Sequence, residues 1–238
     1  NGLRWLLFLI IAFIINLPIL ATVLTSFKTT GVINTSPPPI IFTPTLSNYS
    51  EVLFTGNTNL LRYILNSIII AGGGSILAIL LSFPAAYAIV RHGIGRSWLL
   101  PLVMNIRMLP LIVYAIPLYL MFQLVGLLDS WLGMILVTTT ISIPVALVLF
   151  VGFMQDIPID MDEAGKLDGA SQRVILWQLI FPIARPIVLA VLLLSFITSW
   201  NEFLFGLILT TKNATPVTVG ATFFVTSYGV KWGATAAA

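Results

Sequence analysis

The chain has 238 residues, 58% of them hydrophobic and only 8% charged, with a mean hydropathy of +1.06. A soluble domain carries about 25% charged residues, so this composition describes an integral membrane protein built of helices, which satisfy their own backbone groups in lipid. The net charge of +3 reflects few charges and no Lys/Arg cluster, which excludes a nucleic-acid surface; the absence of cysteine excludes disulfides, thiol catalysis and Cys-ligated metals.

The first apolar run is long enough to cross a bilayer and lacks a small-residue cleavage site. It reads as a retained helix over 3–25 rather than a signal peptide. A segment rich in Pro, Thr, Ser and Asn follows, with Pro37, Pro38 and Pro39 inside it, and favours extended or irregular backbone. Further apolar runs place spans near 64–90, 98–122, 131–153 and 187–210. His92, the lone histidine, falls in a short polar turn and has no second histidine with which to hold a metal. Residues 211–232 are polar and turn-rich. The last six, from Gly233, read as the first turns of a sixth span, so the natural chain is expected to continue past Ala238 and to begin before Asn1.

The expected fold is therefore an all-α integral membrane protein, a polytopic helical bundle. It has five complete spans and the start of a sixth, one membrane domain over 1–238, and a polar loop, 154–186, between spans four and five. Lys/Arg asymmetry sets orientation. With the amino terminus inside, Arg4, Arg91, Arg96, Lys166, Arg173 and Arg185 lie inside, and Lys28, Arg62, Lys212 and Lys231 outside.

Several residues stand out within the spans. Gly74, Ala78 and Ser82 recur at four-residue spacing, after Gly72 and Gly73, a pattern that lets two helices pack closely in lipid. A gating hinge is the sharper alternative. Pro84, Pro110, Pro117 and Pro144 are candidate kink sites. Arg107 and Glu202 are charges placed inside spans, where they face a cavity or a partner. Together with Asn201 they are candidates for the translocation path or for a subunit seam. Tyr114, Tyr119 and Trp200 suit helix packing or a place at the membrane interface.

The most informative stretch is the polar loop at 163–182. Pro158 suits a helix first turn, and Asp160, Asp162 and Glu163 then sit where the helix dipole favours negative charge. Lys166 follows Glu163 on the same face. Gly169 can end the helix in the left-handed conformation. A second helix is expected from Ser171 to Ile180, ending before Phe181 and Pro182. Ala164, Gly165, Gly169 and Ala170 present almost no side chain, so another protein could approach closely.

This stretch resembles the EAA motif of ABC-importer permeases: Glu-Ala-Ala, three residues, Gly, nine residues, Ile-x-Leu-Pro. Glu163, Ala164, Gly169 and Pro182 match, with Gly165, Leu179 and Phe181 as like-for-like replacements. Asn66-Ser67, Ala86-Tyr87-Ala88 with Arg91, Arg107 to Pro110, Ile116 to Tyr119, Gly126 to Asp129, Asp168 to Ser171 and Trp200 to Phe203 are similar to the carbohydrate branch of that family. The likeness is to the smaller permease subunit of maltose-type importers. The resemblance implies a cytoplasmic coupling helix that docks on an ABC ATPase dimer through Glu163, Ala164, Gly165, Asp168, Gly169, Ala170 and Pro182. It also implies a second permease subunit, an extracytoplasmic solute-binding protein, a carbohydrate or polyol solute, and residence in a bacterial-type inner membrane.

Some chemistry is missing. No Gly-x4-Gly-Lys-Ser/Thr phosphate loop is present, so ATP and Mg are expected on the partner ATPase and no cofactor on this chain. Asp156, Asp160, Asp162 and Glu163 have no partner base, so a membrane enzyme is not expected. The alternative reading is a stand-alone secondary transporter or channel for a small polar solute, for which Glu202 is the sole candidate coupling carboxylate.

Overall fold

The computed structural model describes residues 2–55, 60–226 and 229–238. In chain order, α1 (Gly2–Ser26) stays helical through Pro18 and buries only Ser26. The short α2 (Thr30–Ile33) and α3 (Ser47–Ser50) follow, the second running into a π-turn at Glu51–Thr55. α4 (Leu60–His92) has 33 residues. Next come α5 (Leu99–Met108), α6 (Ile112–Val125), α7 (Trp131–Asp156) and the polar α8 (Asp160–Leu167). α9 (Gln172–Val174), a π-helical stretch at Ile175–Ile180 and α10 (Phe181–Trp200) form one helical run, Gln172–Trp200. The chain ends with α11 (Leu204–Leu209), α12 (Val217–Gly220), a 3₁₀ turn at Ala221–Phe224, the antiparallel strands β1 (Val225–Thr226) and β2 (Gly229–Val230), and α13 (Trp232–Ala237).

Among the described residues, α1, α4, α7 and the Gln172–Trp200 run are long and apolar enough to cross a membrane. Two expected spans need correction. The third, 98–122, is not one helix: α5 and α6 meet at 105°. The cause is local. Proline disfavours helical backbone at the residue before it, and Leu109, before Pro110, is extended at φ −82°, ψ 140°. Pro84, Pro117 and Pro144 instead lie within helices that continue past them.

The fifth span, expected at 187–210, starts at Gln172 and stops at Trp200, and residues 201–203 separate it from α11. The second loop helix therefore does not end before Pro182. It becomes the span. Pro182 lacks the N–H for an α-helical ladder and crowds the carbonyl four residues back. That carbonyl, of Gln178, belongs to the wider π turns, which absorb the misfit.

The residues fall into two compact units, one made of residues up to Tyr63 together with Val219–Ala238, the other of Ile64–Thr218. In the first, α13 packs on α1, α2 and α3. Asn48 organises it, its Nδ2 donating to the carbonyls of Ser26 and Lys28 at 2.8 Å each. Gly233 of α13 is pressed against that amide, and a Cβ there would lie 2.6 Å from Asn48 Oδ1.

In the second unit, α4 lies against α7 and the Gln172–Trp200 run. Phe83 of α4 meets Phe150 edge-on at 5.3 Å and Phe181 edge-on at 5.5 Å, contacts worth about 0.5–1.5 kcal/mol each beyond area burial. Leu147, Met154, Ile180, Ala184 and Val191 complete this core. A second cluster joins Ile70, Ala115, Phe122, Met134, Val137, Phe205 and Leu209. Gly74, Ala78 and Ser82 are all buried. A Cβ at Gly74 would collide with Thr138 Oγ1 of α7, and Thr139 Oγ1 donates to the Gly74 carbonyl at 3.3 Å. Gly74 is thus a point of close approach between α4 and α7.

Candidate functional site

α8 is a short helix with two different sides. Its first turn carries Asp160, Asp162 and Glu163, and Ile159 O accepts from the amides of Asp162 (2.9 Å) and Glu163 (3.1 Å). Gly169 ends it in the left-handed conformation, φ +79°, with Gly169 N donating to Lys166 O and Ala170 N to Gly165 O. These bonds close the helix as a Schellman motif does. Ser171 Oγ then caps the next helix at Val174 N.

The inward side of α8 is anchored by Asp162, which is 2% exposed. Tyr87 OH donates to Asp162 Oδ1 at 2.6 Å, and Arg91 Nε lies 2.9 Å from Asp162 Oδ2. Arg91 Nη2 also donates to the Ile157 carbonyl at 2.9 Å. Tyr87 and Arg91 are four apart on α4, hence on one face. The helix dipole is thus an incomplete account of Asp162, which is a buried ion-pair partner. The sequence-level clue was there, since Tyr87 and Arg91 stand at helical spacing, but nothing in it pairs them with Asp162 over Glu163.

The outward side is bare. Glu163, Ala164, Lys166 and Asp168 are exposed, and Leu167 is 89% exposed. Glu163 makes no ion pair among the described residues. Gly165 and Ala170 are turned inward instead. A Cβ at Gly165 would lie 3.1 Å from Ile175 Cγ1, so its smallness lets α8 sit on its own chain. Ala170 packs against the core, and Pro182 lies half-buried within the long helical run. Of the seven loop residues named from the sequence, Glu163, Ala164, Asp168 and Gly169 remain on the open surface.

At the opposite end of α4, another polar cluster holds the segment after α11. Asp129, in the turn after Gly126 and itself at φ +51°, accepts from the backbone N–H groups of Thr211 (3.0 Å), Lys212 (3.1 Å), Asn213 (2.9 Å) and Ala214 (3.1 Å). Burial alone would raise its carboxyl, but these donors outweigh it and hold it at about 2. Asn66 Nδ2 donates to the carbonyls of Asn213 (3.0 Å) and Thr215 (2.9 Å), and its Oδ1 accepts from Trp131 Nε1 at 2.8 Å. Ser67 Oγ accepts from Val217 N. Asn66, Ser67 and Asp129 belong to matched motifs, yet their roles are invisible until the loop folds back on them.

Arg107 and Glu202 do not sit in mid-helix. Arg107 is exposed in the last turn of α5, beside the break, and lines a cavity of about 310 Å³ with Tyr114, Leu118, Thr140, Pro144 and Phe205. Tyr114 OH donates to Ile106 O across the break. Glu202 lies between α10 and α11, where its Oε1 accepts from Phe205 N at 3.0 Å and its carbonyl accepts from Thr218 Oγ1. It caps α11. Asn201 is exposed, with Nδ2 donating to Ile197 O. The three residues share no hydrogen bond or ion pair with one another among the described residues. Trp200 stacks on Phe196 at 5.7 Å.

Comparison with known proteins supplies the context. Residues 74–238 match the family model described as binding-protein-dependent transport system inner membrane component. A probable ABC transporter permease protein (y4oR) of Sinorhizobium fredii is 32% identical over 99% of this chain and 85% of its own. The trehalose/maltose transport system permease protein MalG of Thermococcus litoralis is 31% identical over 84% of this chain and 73% of its own. The solved structure of a bacterial ABC transporter involved in import of the acidic polysaccharide alginate superposes with a TM-score of 0.80 at 21% identity, over 99% of this chain and 88% of that one. The chain belongs to the family of inner membrane components of binding-protein-dependent transport systems.

Proposed function

We propose that this chain is one permease subunit of an ATP-driven importer for a carbohydrate or polyol. With a second permease it forms half of the translocation path, and an extracytoplasmic binding protein delivers solute to the pair. α8 faces the cytoplasm with the amino terminus and docks on a separate ABC ATPase dimer that holds ATP and Mg, leaving this chain without a cofactor. ATP closes the ATPase dimer, α8 moves, and the spans switch between inward-open and outward-open. The energy comes from the differential affinity of ATP for the two states.

One observation carries this reading: α8 is locked to its own subunit through buried Asp162 while Leu167, 89% exposed, and Glu163 project from the other side. An apolar side chain so exposed beside an exposed carboxylate suits a docking surface. The sugar class is supported by the trehalose/maltose name of the Thermococcus litoralis relative. A stand-alone secondary transporter is disfavoured, because Glu202 is occupied in capping α11. The test is affinity purification of the tagged full-length protein from its own membranes, with companions identified by mass spectrometry. Leu167→Glu is expected to cut recovery of the ATPase at least about tenfold, as loss of a docking anchor does, while the second permease stays bound. Full ATPase recovery with Leu167→Glu overturns the docking assignment.

A further inference from the structure

Just past α1 the chain makes an excursion whose neck is pinned to the end of that helix. Thr45 N donates to Phe27 O at 2.9 Å, and Asn48 Nδ2 donates to Ser26 O and Lys28 O. α1 is long and apolar enough to cross a membrane and ends at Ser26, so the neck lies at a membrane face. Residues 34–46, between α2 and α3, form neither helix nor strand. Midway along them Ile40 and Ile41 are 83% and 94% exposed.

The composition of this excursion suits lipid better than water. From Thr29 to Ser50 there is no Asp, Glu, Lys, Arg or His. Lys28, at the neck, is buried, with Nζ 5.0 Å from the centre of the Phe42 ring, so the nearest cation along the chain is held inside the loop. Pro37, Pro38, Pro39 and Pro44 make up half of residues 37–44. Proline has no backbone N–H, so half of this segment brings no donor whose desolvation would oppose leaving bulk water. The carbonyls still need partners, which confines the loop to the hydrated headgroup zone and keeps it out of the hydrocarbon core. Adjacent apolar side chains this exposed mark a protein or a membrane contact. The missing charge favours the membrane, because protein interfaces keep a polar rim. The polar loop around α8 is the contrast, with Asp156, Asp160, Glu163, Lys166, Asp168 and Arg173 close together.

We propose that the 34–46 excursion is a membrane-surface anchor: Ile40 and Ile41 insert into the headgroup zone of the leaflet at which α1 ends. Its ligand is a phospholipid surface, and with no charge of its own the loop does not require an anionic lipid. The assignment needs only that α1 crosses the bilayer, so it stands or falls apart from the importer reading. Because the neck is hydrogen-bonded to residues 26–28, an inserted loop also fixes the end of α1, and with it α13, which packs on α1.

The test is a depth measurement. The 238 residues contain no cysteine, and Thr43 is exposed two positions from Ile41, so Thr43→Cys carries a bimane label that leaves both isoleucines in place. Ser47→Cys, exposed beyond the neck, is the control. The full-length protein, purified from its own membranes with whatever subunits accompany it and with no other cysteine, is placed in phosphatidylcholine nanodiscs with plain acyl chains or with chains brominated near the headgroup. Bromination is expected to quench the Thr43→Cys label at least about twofold, since interfacial insertion reaches roughly 5–10 Å into the headgroup–acyl boundary. Iodide in the water should quench it less than it quenches the control. Ile40→Ser with Ile41→Ser is expected to abolish the bromine effect and raise iodide access to that of the control, with the unfolding temperature unchanged. Should that double variant lose stability, the parent protein decides. Free iodide access without bromine quenching overturns the anchor. Protection from both quenchers overturns it as well and makes the loop a seam with another subunit. Iodide access that falls only when a solute-binding protein is added assigns the two isoleucines to that partner instead. Bromine quenching that survives in a stable double variant overturns the role given to Ile40 and Ile41.

Discussion

Asp129 shows how much one carboxylate can organise. It takes four consecutive backbone donors from 211–214 while its own turn is held open at positive φ. Asp129→Ala leaves those N–H groups without their acceptor. Amide exchange at 211–214 is expected to accelerate about 10- to 100-fold, the worth of a charged hydrogen bond. The pH dependence follows from the depressed carboxyl. The folded group titrates at about 2 against an ordinary 3.8, so its contribution is complete above about pH 4 and is lost as pH falls toward 2. Parent and variant exchange rates should therefore converge over that window; a constant gap down to the lowest pH would be against the assignment. Gly74 makes a similar point through sterics. Gly74→Ala drives a methyl into Thr138 Oγ1 and is expected to cost about 1–3 kcal/mol, read as a lower unfolding temperature of the purified protein in detergent. Thr138→Ala in the same chain should recover most of that loss. If the double variant is no better than the single, the contact is not what makes glycine necessary there.

At the scale of elements, the breaks are the informative places. Pro110 alone would suggest a kink, and the actual result is a 105° turn, because Leu109 leaves the helical region altogether. The break at 201–203 puts a carboxylate at the start of α11, where it accepts from Phe205 N. Glu202→Ala is expected to cost about 1 kcal/mol of stability through loss of this cap, and Glu202→Gln, which keeps the acceptor oxygen, much less. Transport activity beside thermal stability separates this from a charge needed in the path. If Glu202→Gln were fully stable but inactive in transport, capping would not be its main role. The π stretch at Ile175–Ile180 is the third such place, letting one helix run through Pro182 and join the polar loop directly to the span.

For the whole molecule, α1 buries only Ser26 and Leu167 stands almost fully exposed, so this chain alone leaves apolar surface for lipid and partners to cover. The expected topology puts α8 and the 211–217 loop on opposite sides of the bilayer. With cysteine at 166 or 212 in intact spheroplasts, an impermeant maleimide should label position 212 and spare 166 until the membrane is permeabilised. Equal labelling of both before permeabilisation would refute the orientation.

Much of this was legible in the order of residues. The lengths of α1, α4 and α7 follow from their apolar runs because lipid tolerates no unsatisfied backbone, whereas the third and fifth runs did not show the break at Pro110 or the start of the last span at Gln172. The end of α8 at Gly169 follows from a backbone angle that glycine adopts without strain. The loop helix and its family likeness rest on residues close to one another along the chain. Each of these is a local property or a sum over a window, so the amino-acid sequence by itself determined it. Other features depended on partners far along the chain. Asp162 and Glu163 are neighbours in one helical turn, yet only the fold shows that Asp162 meets Tyr87, 75 positions away, and that Glu163 faces out. Asn66 finds Asn213 and Thr215 at separations of 147 and 149. Gly165 looked like a residue kept small for a partner and proves to be kept small for Ile175 of its own chain. Only the tertiary structure decided these, because which face of a polar helix is buried, and which carboxylate receives a given cation, depends on the surfaces that packing brings together and not on the spacing of residues along the chain.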